Sequence, residues 1–256
     1  MATWATGLAD HLRDPDAPGL RVEEVIGWEK RGRSALDSIE CIVVHHTASR
    51  RTAGPFPSRR VLIEGRDDLP GPLCNLALTR GASPTWVVVA AGKANHAGAV
   101  RQSWQSNARA LGVEAENDGV GEPWTPAVLD TLATGLALLA IAHDIPTSRI
   151  LGHKEVCDPP GRKIDPSTSM SDLRDAVARE RSRILAQRAS PLMALTDADA
   201  NKIAKAIVSE LLSLDTIPDL GARRRGATGV DATVSLRTVL AYVYQAVQQS
   251  APPPSI

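Results

Sequence analysis

The sequence is poor in aromatic residues, with five Trp, two Tyr and one Phe among 256 residues. It is also poor in cysteine. Cys41, Cys74 and Cys157 are the only three and have no CxxC spacing, which argues against a disulfide framework or a cysteine-rich zinc finger. Charge of either sign is not in excess: 29 Lys plus Arg balance 29 Asp plus Glu. A strongly basic nucleic-acid surface is therefore not indicated, and no nucleic-acid partner is expected. No apolar run approaches the roughly 18 residues of a membrane span. The opening segment MATWATGLADHLRDPD is charged and has no apolar core, so no secretory signal is expected and the chain is placed in the cytoplasm where it is made. What is present is an ordinary globular balance, 43% apolar and 23% charged, enough for one domain and a small second one.

Position carries more information than totals. All six histidines lie between His11 and His153, and all five tryptophans between Trp4 and Trp124. Residues 1–38 are polar and turn-rich and read as an N-terminal arm, with one short element around Val22–Trp28. Ile39–His45 is short, apolar and β-branched, as a buried strand requires. Leu73–Thr79 and Thr85–Ala91 are strand-like, and Leu111–Glu116 alternates as a half-buried strand does. Thr125 as N-cap and Pro126 at the first helical position open a helix to about His143. Residues 151–168 read as a long irregular loop, and Ser169 with Asp172 caps a second helix over roughly Asp172–Gln187. Beyond residue 189 there is no His, Cys or Trp. Thr196 and Asp199 cap a helix with Ile203, Ile207 and Leu211 on one face. Residues 215–233 read as a linker, and a last helix spans about Ser235 to Gln248. Residues 189–256 thus form a small helical region for oligomerisation or cell-wall docking, self-association being favoured because two amphipathic helices gain most from a second copy.

The chemistry concentrates in two places. His45-His46 end a buried strand, where an imidazole on rigid backbone suits a metal. The segment from His153 to Asp165 adds a second imidazole, a cation at Lys163 and a carboxylate. His45, His153 and Asp165 would supply the three protein ligands of a catalytic zinc site. Lys163 lies two residues before Asp165, so in extended backbone both point the same way, and its charge would steady an oxyanion. Cys157 is a rival third ligand. Glu114 and Glu116 share one face of their strand.

The motifs VVHHTAS, ANHAG, LGVEAEN and GHKEV…GRKIDP, in this order over about residues 39–180, resemble the zinc-dependent N-acetylmuramoyl-L-alanine amidase family, which includes phage endolysins, bacterial amidases and peptidoglycan recognition proteins. The resemblance implies an α/β fold, a mixed central β-sheet flanked by helices, with the C-terminal helices as an appendage to a catalytic domain over residues 39–188. It implies one zinc ion per chain on His45, His153 and Asp165, with Glu114 as the catalytic carboxylate and Lys163 beside it. Asn95 and His96 correspond to a segment lining the substrate groove, Arg162 is a further substrate contact, and Glu116 is either a substrate contact or an outer residue behind the site. Some members use a Tyr near the position of Cys74. This region has none, which puts more weight on Glu114. The implied activity is hydrolysis of the amide between N-acetylmuramic acid and L-alanine in peptidoglycan, most like an actinobacteriophage endolysin that reaches the wall after another protein opens the membrane. The other readings are a non-lytic peptidoglycan-binding module and a recycling amidase acting on soluble muropeptides.

Overall fold

The structure, a computed structural model, describes residues 2–193. The chain divides into two compact units, Met1–Ala189 and Ser190–Ile256. The helices, linker and docking role expected beyond residue 193 lie outside the described residues.

The first unit contains α1 (Leu8–Leu12), β1 (Arg21–Glu24), β2 (Cys41–His46), α2 (Arg59–Glu64), β3 (Gly65–Arg66), β4 (Leu69–Pro70), β5 (Leu76–Leu78), β6 (Thr85–Val88), β7 (Ala110–Ala115), α3 (Pro126–Ala142), β8 (Ile150–Gly152) and α4 (His153–Val156), and the long α5 (Met170–Met193) starts in it. Six strands form one mixed sheet in the order β1-β6-β5-β7-β2-β8, and β3 pairs with β4 alone. Within the six-stranded sheet the ladders β5–β7, β7–β2, β2–β8 and β1–β6 are parallel and β5–β6 is antiparallel.

Strand parity sorts the side chains. Ile42, Val44, Leu76, Leu78, Leu111 and Val113 join one large core with Leu8 and Leu12 of α1, Leu132, Leu136 and Leu139 of α3, and Leu173 and Val177 of α5. Cys41, Val43 and Ala110 face the other side, where a smaller cluster includes Val156. That second face, only partly covered, is where the strands end in polar residues. Helix α3 begins as its capping residues dictate, the Thr125 hydroxyl accepting the Val128 N–H at 3.4 Å. It lies close against the sheet: a Cβ at Gly135 would stand 2.3 Å from the Trp86 ring.

Three expectations are corrected. Residues 1–38 are no arm, because α1 and Trp28 are built into the main core and β1 is the edge strand beside β6. Its sequence, RVEE, gives no alternating strand pattern because an edge strand exposes charge: Glu24 pairs with Arg13 at 2.6 Å and Glu23 with Arg59 at 2.6 Å. Strand β7 is not half-exposed but buried except at Glu114, since it is paired on both edges and only Glu114 reaches the uncovered part of the second face. The loop expected over 151–168 contains β8 and α4, a strand formed by long-range pairing with β2 and a single helical turn. That turn starts where the Glu155 carboxylate accepts the Gly152 N–H at 2.8 Å, and Arg174 of α5 holds the same carboxylate through two hydrogen bonds.

Candidate active site

The sheet register assembles the site. His45 on β2 lies directly opposite Glu114 on β7, and Val44 is opposite Gly152 on β8, so His153 emerges beside His45. His45 and Glu114 share the parity of Val43, which turns both to the partly covered face. His46 has the opposite parity, and its Nδ1 accepts the Ser167 N–H at 3.0 Å. That bond, with Lys154, fixes the segment carrying Asp165. The Lys154 backbone N–H donates to the Asp165 carbonyl at 2.7 Å, and its ammonium donates to the carbonyls of Pro166 and Thr168 at 2.7 and 2.8 Å.

Three donor atoms then converge. His45 Nδ1 and His153 Nδ1 are 3.0 Å apart, and each is 3.1 Å from Asp165 Oδ2. Among the described residues this is the only group of three His, Cys, Asp or Glu side chains placed to share a metal ion. Cys157, the rival ligand, is fully buried, its sulfur facing the carbonyls of Lys154 and Pro159. A zinc ion with bonds of about 2.0–2.1 Å sets tetrahedral donors about 3.3–3.4 Å apart. Two imidazole nitrogens and a carboxylate oxygen packed slightly tighter than this fit such an ion. Three protein donors also leave a corner open, the pattern of catalytic sites.

The electrostatics agree with this placement. Burial pushes His45 down to about 4 against the opposing pull of Asp165. Burial first, then the charges of Asp165 and Glu116, push Glu114 well above the ordinary Glu value, with Lys163 opposing. Its Oε2 is buried without a hydrogen-bond partner, an arrangement that costs free energy.

The remaining residues divide. Glu114, Lys163, Arg162, Asn95 and His96 line a cleft of about 540 Å³ together with the three donors, and Val61, Leu69 and Ile164 supply apolar walls. Asn95 is tied to the Pro70 carbonyl at 2.8 Å, and Arg162 to the Ala99 carbonyl at 2.8 Å. Glu116 does not reach the cleft. Its side chain is 0% exposed, and it accepts hydrogen bonds from the hydroxyls of Thr47 and Ser49 and the Ser58 N–H. It anchors the loop leaving β2 to the start of α2 and is not a substrate contact. His96 is 8% exposed and stands behind His45, Nδ1 to Nε2 at 3.2 Å. Burial foremost pushes it well below the ordinary His value.

The sequence matches the N-acetylmuramoyl-L-alanine amidase family over residues 35–168, more than half of the chain. The chain belongs to that family. It is the family its four motifs resemble. No curated protein matches the sequence. Several solved structures are similar in fold. The amidase AmiD from E. coli, in complex with anhydro-N-acetylmuramic acid-L-Ala-D-gamma-Glu-L-Lys, is 20% identical over 57% of this chain and 60% of that one, with a TM-score of 0.44. The protein AmpD is 19% identical over 62% and 95%, with a TM-score of 0.45. The endolysin LysCS from Clostridium intestinale is 18% identical over 63% and 98%, with a TM-score of 0.46. The alignment thus spans about three-fifths of AmiD's length. No helix among the described residues is long and apolar enough to cross a membrane.

Proposed function

We propose that the protein is a zinc-dependent N-acetylmuramoyl-L-alanine amidase that cuts the amide between the lactyl group of muramic acid and L-alanine. The observation that carries this reading is the convergence of His45 Nδ1, His153 Nδ1 and Asp165 Oδ2 at 3.0–3.1 Å, beside an unpartnered Glu114 in an open cleft. Zinc held there would polarise the scissile carbonyl and make water a nucleophile at neutral pH. Glu114 takes the proton from the attacking water and returns it to the departing amine nitrogen. A carboxyl raised above its ordinary range suits a group that must both accept and release a proton near neutral pH. Lys163 offers a fixed positive charge to the oxyanion that develops on the carbonyl oxygen. The apolar walls and the cations of Arg162 and Lys163 suit a substrate with both carbon-rich and carboxylate parts.

The setting we favour is that of a phage endolysin acting on the intact wall after the membrane is opened. Its support is the stretch of sequence from residue 189 to 256, which lies beyond the family match over residues 35–168. Mass spectrometry of digested walls and of soluble muropeptides, with and without chelator, tests both parts. Free L-alanine amino termini and intact glycan, lost on chelation and restored by zinc, are expected from walls. Cutting of soluble muropeptides alone would move the protein to recycling. Binding without cleavage by zinc-loaded protein would make it a recognition module.

A further inference from the structure

The segment Asn95–Gly98 bears on both histidine donors from behind. The Ala110 carbonyl, which can only accept, lies 3.4 Å from His96 Nε2. The proton of a neutral His96 therefore sits on Nε2, and its Nδ1 is an acceptor. That acceptor is 3.2 Å from His45 Nε2, so His45 must donate from Nε2, which leaves the Nδ1 lone pair facing the cleft. On the other donor, the Ala97 carbonyl lies 3.0 Å from His153 Nε2. It likewise places that proton on Nε2 and the lone pair on Nδ1. Two consecutive residues thus act on two ligands that lie 108 positions apart in sequence.

The segment is itself held. The Asn107 side-chain oxygen accepts the N–H groups of both His96 and Ala97, at 3.1 and 2.8 Å. The His96 ring lies against the bare backbone of Gly112 on β7, where a Cβ would stand 2.5 Å from the imidazole Cγ. The glycine of LGVEAE is therefore room for His96.

We infer that His96 and the Ala97 carbonyl form a tautomer lock, which presets both Nδ1 lone pairs toward the metal site before any ion arrives. His96 is in this account a positioning residue and not a contact for substrate. Outer partners of this kind commonly change metal affinity by about 10–100-fold. The inference rests on the zinc reading above, but its first test does not. In the metal-free, full-length protein, ¹⁵N–¹H correlation of the imidazole rings reads the tautomers directly. His45 and His153 are both expected as Nε2–H forms, and an Nδ1–H form of either overturns the lock. Wild-type protein that takes up no zinc would instead sink the metal reading, a distinguishable result.

The second test compares His96→Leu with His96→Asn, whose side-chain oxygen falls near the position of Nδ1. Zinc affinity is measured by competition with a chromophoric chelator, with thermal melting as the check on folding. His96→Leu should bind zinc about 10–100-fold more weakly and show mixed His45 tautomers, while His96→Asn should recover most of the affinity. Equal affinities for wild type and His96→Leu would overturn the inference. Should His96→Leu fail to fold, the wild-type tautomers and the His96→Asn affinity decide it.

Discussion

Two histidine clusters in this protein look alike at first. In one, His45 packs edge-on against His153 at 4.5 Å and His96 at 5.3 Å between ring centres. In the other, His11 of α1 meets His143 at the end of α3, also edge-on, at 5.2 Å. Burial is the leading cause that lowers the pKa of His45 and of His143, each to about 4. Only the first cluster has a carboxylate oxygen equidistant from two ring nitrogens and backbone carbonyls directing the far nitrogens. At the second, His143 Nε2 is buried without a partner. On the zinc reading, the contrast teaches that proximity and burial of imidazoles are not enough for a metal site; an anionic third donor and partners that orient the distal nitrogens are needed as well.

The largest effect that would break this comparison is loss of a donor. His153→Ala should abolish stoichiometric zinc and activity together, whereas His143→Ala should leave zinc content and turnover unchanged and act only on stability. Metal analysis of the two purified variants checks this. If His143→Ala also lost zinc, the two clusters would not be the separate things described.

A second pair sharpens the point within one strand face. Glu114→Gln should keep zinc and lose about 10²–10⁴ in rate, and Lys163→Ala about 10²–10³. Glu116→Gln should cost about 1–3 kcal/mol of stability through its buried hydrogen bonds, with smaller changes in rate. Assays paired with denaturant melts separate these outcomes. A rate loss at Glu116 as large as at Glu114, with stability intact, would reverse the assignment.

The smallest effect concerns acid. His45 and His143 both have folded values depressed from 6.5 to about 4. The folded form prefers them neutral, so their stability contribution is present above 6.5 and lost as pH falls through 4. Glu114 is raised and acts oppositely, its contribution being largest in acid and lost as pH rises. Metal-free Glu114→Gln removes that opposing group. Its melting temperature should fall by roughly 5–10 °C between pH 6.5 and 4, and zinc should suppress the part due to His45. A flat profile would show that the two imidazoles are not buried as described.

The part of this contrast that lies in local sequence was readable beforehand. His45 ends an apolar run, Lys163 and Asp165 keep a two-residue register, and Thr125-Pro126 opens a helix. The donor set follows from residue types and spacing, with Cys157 as a rival that the family resemblance does not favour; the strand order is not legible there at all, because β2, β7 and β8 are brought together only by long-range pairing. Three things stayed hidden for physical reasons. Strand β1 is an edge strand with exposed charges, and only a short element of no assigned type is expected there from sequence. Glu114 and Glu116 have the same type and parity, and only the loop over Glu116 separates their roles. His96 carries no local sign that it backs His45, since the contact spans 51 residues. A signal did exist in Gly112, an unbranched residue inside a strand run, which marks a close approach by something else.

The central claim is that zinc sits on two Nδ1 atoms and one carboxylate oxygen. X-ray absorption at the zinc edge of the full-length protein tests it most directly. The account predicts one zinc per chain with only nitrogen and oxygen neighbours at about 2.0–2.1 Å and the outer-shell pattern of two imidazoles. A sulfur neighbour at about 2.3 Å, which would bring Cys157 into the site in place of Asp165, would contradict it.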